Sequence, residues 1–400
     1  MKILGIIAEY NPFHNGHIYH IQKAKKETGC DFAIAIMSGS FTQQGNIALY
    51  DKFKRAKIAT NHGIDLVIEL PTIYANSSSE YFSKGAIEIL NSLNIVDNIC
   101  FGSESGNLTT LLKISNTIRN NEIEIWQDIQ KNLKKGISFA KAREQSITRY
   151  LNSDEVNEIS KPNNILGIEY LLRLSRLSSN IKPYTIARIS NDFNSIHLNP
   201  NQKYTSATSI RNSIYHKKSI DQLNTFIPED MMHIINTISP TFNDQLLNIL
   251  KYKIVTSKKE EIASINEVTE GLENRIIDSV SHSSDYNELV NHIKSKRYQM
   301  SKIKRMLNNI LLGITKEDMQ NIANSKQLYA HVLSTSHNGK ILLSRISKKS
   351  DILLLTSINE KILSNLTIEQ KRMLELDILS SNIHSIINHE KINKDYTNRL

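Results

Sequence analysis

The sequence predicts an α/β protein. A parallel sheet covered by helices is expected over residues 1–215, and a mainly helical region with a small α/β tail over 216–400. Two observations carry this expectation. Apolar runs of strand length alternate with amphipathic helical runs at spacings of about thirty residues, the pattern of parallel βαβ units. Beyond about Tyr215 strand-like runs thin out, and helical periodicity dominates to about Gln327.

The first strand is the apolar run Ile3–Ala8, and an amphipathic helix follows from Ile18. Between them lies Glu9-Tyr10-Asn11-Pro12-Phe13-His14-Asn15-Gly16-His17, a strand-to-helix turn. Pro12 fixes the backbone there and could not donate a hydrogen bond to a central strand. Gly16 is expected to let a ligand approach the backbone. His14 and His17 are three apart, so at a helix start they share one face. The helix start offers unpaired N–H groups and a positive dipole end to an anion. Two imidazoles beside it suit a phosphate that gains charge in a transition state. Two histidines could instead hold a metal. No third His or Cys lies nearby in a familiar ligand spacing and Cys30 stands alone, so no metal ligand is assigned.

The second strand, Phe32–Met37, leads into Ser38–Gly45, a polar loop expected to face phosphate or substrate. A helix over Tyr50–Ala59, a strand over Asp65–Leu70 stopped by Pro71, and a loop to Ser77 come next. Glu80–Leu93 reads as a helix and Asn98–Phe101 as the fourth strand, followed by the polar loop Gly102-Ser103-Glu104-Ser105-Gly106. The ligand should lie at the strands' carboxyl ends. From Leu108 to Leu151 the pattern is helical, and the basic run Lys131–Gly136 reads as a solvated helix end. Pro162-Asn163-Asn164 marks a helix start. The fifth strand is Tyr184–Ile189, in which Arg188 must reach solvent or an acceptor. Thr205-Ser206-Ala207-Thr208-Ser209-Ile210-Arg211 is a hydroxyl-rich helix start able to hold an anion, with Arg211 offering a fork for phosphate oxygens.

In the second half, Lys294–Arg305 carries six basic residues and no acidic one, with Tyr298 as a stacking surface. Phosphate contacts to RNA are expected from Lys294, Lys296, Arg297, Lys304 and Arg305. Two strand-like runs, Leu328–Leu333 and Asp351–Thr356, flank a helix; His337-Asn338-Gly339-Lys340 echoes the opening motif and reads as a turn. Residues 391–400 are polar and expected to fray.

Composition narrows the class. The chain has 400 residues, 40% hydrophobic and 22% charged, as in ordinary globular proteins. No apolar run reaches about 18 residues, so no membrane association is expected. The opening residues run straight into a strand without a signal-peptide pattern, and two cysteines make no disulfide framework, so a cytoplasmic location is expected. The formal charge of +9, from 49 basic and 40 acidic residues, is compatible with a polyanionic partner. Neither a P-loop nor GxGxxG is present.

His14-Asn15-Gly16-His17 is similar to the HxGH signature of the nucleotidyltransferase superfamily. The longer string EYNPFHNGHIYH resembles one branch, the bacterial tRNA(Met) cytidine acetate ligases. The resemblance implies a Rossmann-like HxGH nucleotidyltransferase domain with His14 and His17 catalytic, steadying the α-phosphate region of ATP while pyrophosphate leaves. It implies an ATP site of Ile7, Ala8, Glu9, Tyr10, Asn11, Pro12, Phe13, His14, Asn15, Gly16, His17, Ile18, Tyr19 and His20, with Gly102, Asn163, Arg188, Ser206 and Arg211. Asn163 takes the role of the ATP-contacting asparagine in the PNNILGIxYL motif, with Asn164 the alternative and helix capping open to either. Thr205–Arg211 resembles an SSTxIR motif in which Ala207 replaces a serine. Glu270–Ile276 and Lys296–Arg305 resemble EGLENRI and KRYxxxRIxR, where Gln299 and Lys302 depart from threonine and arginine.

The implied partners are acetate and elongator tRNA(Met), with magnesium expected as the counterion of ATP; nothing is implied about oligomeric state. The implied chemistry forms acetyl-adenylate and then N4-acetylcytidine at the wobble position. The alternative is an HxGH enzyme making a nucleotide-activated small molecule, with no RNA substrate.

Overall fold

Residues 1–189, 198, 202–218, 220–269, 271–325 and 327–398 are described by the structure, a computed structural model. Glu270, which opens the Glu270–Ile276 motif, and residues 399–400 of the tail lie outside the described residues.

The chain begins β1 (Ile3–Ala8), α1 (Asn15–Thr28), β2 (Phe32–Ser38), α2 (Lys52–Asn61), β3 (Leu66–Leu70), α3 (Thr72–Ala75), α4 (Ser79–Ser92) and β4 (Asn98–Ser103). A helical excursion follows: α5 (Leu108–Asn120), α6 (Glu122–Lys134), α7 (Phe139–Thr148), α8 (Ser153–Ile159) and α9 (Pro162–Arg176). The chain then returns through β5 (Lys182–Ala187) to α10 (Ala207–Tyr215). The second half adds α11 (Glu229–Thr237), α12 (Leu247–Thr256), α13 (Lys259–Ser264), α14 (Leu272–Ser281), α15 (Tyr286–Ile293), α16 (Met300–Leu312) and α17 (Lys316–Asn324). It closes with β6 (Tyr329–Thr335), α18 (Gly339–Lys349), β7 (Leu353–Leu355), α19 (Glu360–Leu363), α20 (Ile368–Ile387) and α21 (Lys394–Thr397).

The sheet has the order β5-β4-β1-β2-β3-β6-β7. The first five strands are parallel, pairing Ile3 with Phe32, Ile34 with Leu66 and Asn98 with Lys182. The chain builds outward from β1 to β3, then crosses back to lay β4 on the other side of β1. The switch point therefore lies between β1 and β4, where a crevice opens at the strands' carboxyl ends.

Both faces are buried, with the two-residue period of a strand. Leu4, Ile6, Ala33, Ala35, Met37 and Val67 cluster with α1, α2 and α10. Ile3, Ile34, Ile36, Leu66 and Ile68 cluster with α4 and α9 on the other face. No helix among the described residues is long and apolar enough to cross a membrane.

The structure corrects several local expectations. The Thr72–Ala75 stretch, expected as loop, is the short helix α3, whose Thr72 N–H donates to the buried Asp377 at 2.6 Å. Gly102 and Ser103 lie in β4 rather than after it, and Arg188 follows β5 rather than lying within it. The two tail strands do not form a separate unit. β6 pairs antiparallel with β3, and β7 pairs parallel with β6, so the C-terminal region completes the first sheet.

Nor is the tail loose as far as residue 398. Asp395 is 2% exposed, and its carboxylate meets Lys52 Nζ at 2.6 Å. The same ammonium lies 2.7 Å from Glu69, which in turn contacts His331 at 2.8 Å. Glu69, His331 and Asp395 bring their ligand atoms within 4.8 Å of one another, a spacing that could suit a metal, but the Lys52 ammonium already supplies the cation there.

Removing one member of a buried ion cluster strands the others. Lys52→Met should lower the unfolding free energy by about 3–5 kcal/mol, read by urea denaturation. A loss below about 1 kcal/mol would show that Lys52 does not hold the tail to the sheet.

Candidate active site

At the carboxyl end of β1 the chain passes through a cis Asn11–Pro12 peptide and enters α1. The first turn of any helix has N–H groups without partners, and here the two histidines supply the acceptors. His14 is the extended N-cap residue, and its Nδ1 accepts the Gly16 N–H at 3.1 Å. His17 reaches back, its Nδ1 accepting the His14 N–H at 3.1 Å. An accepting Nδ1 carries no proton, so each neutral ring is the Nε2–H tautomer. The rings stack with centroids 3.8 Å apart. A Cβ on residue 16 would lie 2.8 Å from His14 Cε1. Gly16 thus makes room for the His14 ring.

These rings line a cavity of about 1760 Å³. Ile7, Ala8, Glu9, Tyr10, Asn11, Gly16, Tyr19 and His20 line it with them. Pro12, Phe13, Asn15 and Ile18, also expected at the nucleotide, do not. Phe13 is fully buried against Tyr10, and the Asn15 amide donates to the Thr225 carbonyl at 3.0 Å. These residues hold the turn from behind.

Gly102, Asn163 and Arg188 meet on the β4–β5 side of the cavity. Glu104, which sequence reasoning did not assign, organises them. Its carboxylate accepts the N–H groups of Asn163 at 3.0 Å and Asn164 at 2.9 Å, capping α9. It also accepts the Asn163 side-chain amide at 2.7 Å, which leaves the Asn163 Oδ1 to accept from Arg188 at 3.3 Å. Asn164 is fully buried, bonded to the Glu104 N–H and to Glu158, and does not line the cavity. The signal for Glu104 was present: an acid in a Gly/Ser loop and an uncapped Pro-Asn-Asn helix start that needs an acceptor.

Ser206, Thr208 and Arg211 form the α10 side. Ser206 Oγ caps the helix by accepting the Ser209 N–H at 3.1 Å. Arg211 is clamped between the Asn11 carbonyl at 2.7 Å and Thr208 Oγ1 at 3.1 Å. The Ser38–Gly45 loop has a mixed role. Thr42, Gln43 and Gln44 line the cavity, while Gly45 (φ 75°) is pinned under α16, where a Cβ would meet the Arg305 nitrogen at 2.6 Å.

Loss of water around the histidines keeps them neutral. Desolvation, then the Arg188 and Arg211 charges, lower the His14 pKa to about 3. Desolvation and Arg188 lower His20 to about 4, and His17 falls well below its usual value for the same first cause. Burial raises the Glu9 pKa, opposed by its bond from the Gln43 N–H and by Arg211 and Arg55.

The basic C-terminal string divides. Lys294, Lys296 and Arg297 are exposed, and Arg297 lines the cavity with Tyr298. The Tyr298 hydroxyl pairs with Thr269 at 2.7 Å, and Lys302 lies 4.9 Å from its ring centroid. Two expected surface contacts are not at the surface. Arg305 is 7% exposed, ion-paired with Glu267 at 3.1 Å and bonded to the Gln43 carbonyl. Lys304 is half-buried and donates to Asn46 at 3.0 Å. Both dock the Ser38–Gly45 loop and its neighbour Asn46, because α16 turns that face toward the sheet.

A family model described as HIGH Nucleotidyl Transferase matches residues 1–399. The chain is 40% identical over 408 residues to a tRNA(Met) cytidine acetate ligase of Clostridium botulinum, covering 99% of this chain and 97% of that protein. The chain belongs to the tRNA(Met) cytidine acetate ligase family. A Clostridium perfringens ligase of the same name is 38% identical, covering 99% of this chain and 98% of its own. The apo crystal structure of Thermotoga maritima TmcAL superposes with a TM-score of 0.91 at 30% identity, over 97% of this chain and 95% of that one. A second form of that TmcAL, bound with alpha-thio ATP, superposes at 0.88 with the same identity and coverage. The α/β fold described above, with its mostly parallel seven-stranded sheet, is thus shared with a solved acetate ligase over nearly the whole chain.

Two outcomes follow from the geometry. Gly16→Ala should displace the His14 ring and lower ATP–pyrophosphate exchange by about 10²-fold, the loss typical of one transition-state donor; exchange like the parent's would show the ring is not needed there. The histidines also set a pH dependence of stability. Their folded pKa values lie below the unfolded 6.5, so the unfolded chain binds more protons as pH falls. Stability is complete above about pH 6.5 and declines toward pH 4, by up to about 1.4 kcal/mol per unit for each histidine. Denaturant unfolding at pH 7 and pH 5 measures this, and His20→Asn should flatten the decline.

Proposed function

We propose that this chain is an ATP-dependent acetate ligase that acetylates N4 of the wobble cytidine of elongator tRNA(Met). In the first step an acetate oxygen attacks the α-phosphorus of ATP. The bond to the β-phosphate oxygen breaks, giving acetyl-adenylate and pyrophosphate. In the second step the cytidine N4 attacks the acetyl carbon, AMP leaves with the bonding electrons, and N4 gives up a proton.

The observation that carries this reading is the reciprocal cap of His14 and His17. Both Nδ1 atoms are occupied by backbone, so both Nε2–H groups remain for oxygens that gain charge as pyrophosphate departs. Arg188 and Arg211 supply the positive charge that the neutral rings lack. Asn163, held by Glu104, and the open strand at Gly102 suit the nucleoside side. Of the four carboxylates lining the cavity, Glu9 is bonded to Gln43 and Glu267 to Arg305, while Glu80 and Glu144 are exposed. Magnesium would be held chiefly by triphosphate oxygens and water.

A cavity of about 1760 Å³ has room beyond ATP for an extruded base. Exposed Lys294, Lys296 and Arg297 beside it suit the RNA backbone. Residues 1–215 then form the catalytic unit and 216–400 the region that positions tRNA.

ATP–pyrophosphate exchange should require acetate and not tRNA, and His17→Ala should lower it by about 10²–10³-fold. Exchange that runs equally well without acetate would count against adenylation of acetate. Lys296→Ala with Arg297→Ala should weaken tRNA binding and reduce its salt slope by about one to two units, read by filter binding at several salt concentrations. Mass spectrometry of tRNA nucleosides after reaction tests for N4-acetylcytidine itself.

A further inference from the structure

A second wall of the cavity, formed by α6 and α7, takes no part in the nucleotide site described above. Trp126 and Leu133, seven apart and so on one face of α6, line it with Phe139 and Arg143 of α7. Trp126 is the single tryptophan of the chain, yet 52% of its surface is exposed; Phe139 is 45% exposed. Rings of this size normally gain by full burial. Two of them left half in water at one cavity suggest an absent partner with flat apolar faces.

The surrounding charge identifies that partner. Residues 126–149 hold six basic and two acidic side chains. Asp128 is shared by Lys131 and Arg149, and Arg143 pairs with Glu169. Lys134, Lys135 and Lys141 are exposed and have no ion-pair partner among the described residues. The start of α7 also faces the cavity through Ser138 and Phe139. Ser138 makes no side-chain cap bond and the first turn holds no acid, so its N–H groups are open to an anion. Stacking rings, unpaired ammonium groups and an open helix start together match single-stranded nucleic acid, which presents bases and phosphates side by side. An apolar protein surface would match the rings but not the lysines.

We propose that α6 and α7 form a second RNA-binding wall, on which Trp126 and Phe139 stack unpaired anticodon-loop bases beside the one being acetylated. The basic run at Lys131–Gly136 is then a contact surface rather than a merely solvated helix end. The proposal rests on the reading of the substrate as tRNA.

Because Trp126 is the sole tryptophan, its fluorescence reports this wall directly. The full chain is titrated with an unmodified elongator tRNA(Met) transcript and with its anticodon stem-loop, and binding is followed in parallel by filter retention. Both RNAs should quench the emission saturably, along the same isotherm as retention. Phe139→Ala should weaken binding roughly tenfold, the loss expected for one stacking ring. Lys134→Ala, Lys135→Ala and Lys141→Ala together should reduce the salt slope by about two units. Thermal unfolding midpoints equal to the parent's exclude misfolding as the cause. If tRNA is retained and acetylated while the emission and the Phe139→Ala affinity stay unchanged, the wall is not an RNA site, although the function stands. If the emission instead follows protein concentration without RNA, a second copy of the chain covers the rings and the proposal fails. If tRNA is neither retained nor acetylated, the functional reading fails and takes this proposal with it.

Discussion

The guanidinium of Arg55 ties the carboxyl ends of β1 and β2 together. It is fully buried, with Nε donating to the Tyr50 carbonyl at 2.9 Å. One terminal nitrogen reaches the carbonyls of Glu9 at 2.6 Å and Ser38 at 3.1 Å, and the other reaches that of Gly39. The carbonyls of Glu9, Ser38 and Gly39 lie where the parallel ladder ends, and the guanidinium supplies each with a donor. Burial lowers the Arg55 pKa to about 10, against the opposing pull of Asp51, Glu9 and Glu69, so the group stays charged at neutral pH. A planar fork of five donors can serve four such acceptors; a lysine could not. Because Glu9 is fixed from behind, the histidine turn begins from a fixed point.

The same helix reaches in the other direction. Lys52, one turn before Arg55, gathers Glu69 and Asp395 and so fastens the end of the chain to the sheet. Between β2 and α2 runs the loop that Gly45 seats under α16, with Arg305 and Lys304 bonded to its backbone and side chains. The proposed tRNA-positioning region is therefore built onto the proposed nucleotide site through buried polar contacts. A change in the 38–46 loop has a direct mechanical route to the basic helix.

Within the site, charge and direction are supplied by different groups. The histidines are neutral and present oriented N–H bonds to the cavity, their tautomer set by backbone donors. The arginines bring charge but are themselves held: Arg188 by the Asn163 amide oxygen, which Glu104 positions, and Arg211 by Asn11 and Thr208. Holding each cation by neutral oxygens keeps its charge available for phosphate, at the cost of desolvating it.

Local pattern was enough for much of this. Apolar runs and their spacing gave the five parallel strands, since a βαβ unit is set by neighbouring chain segments. The histidine turn could be located because its chemistry lies within one strand-to-helix junction. The face Lys52, Arg55, Ala56 and Ala59 also carried a readable signal, two charges on the apolar side of a helix. Other features depended on partners far away in sequence. Arg305 reads as an RNA contact until Glu267 and the Gln43 carbonyl, 262 residues distant, are brought against it. The polar tail reads as frayed until Lys52 meets Asp395, and the strand runs near 330 and 353 have no assigned partner until β3 offers them an edge. Hydrophobic periodicity is a local property that a sequence displays. The fate of a charge or a sheet edge is decided by which acceptor or strand the fold sets opposite it, and only the tertiary structure makes that choice.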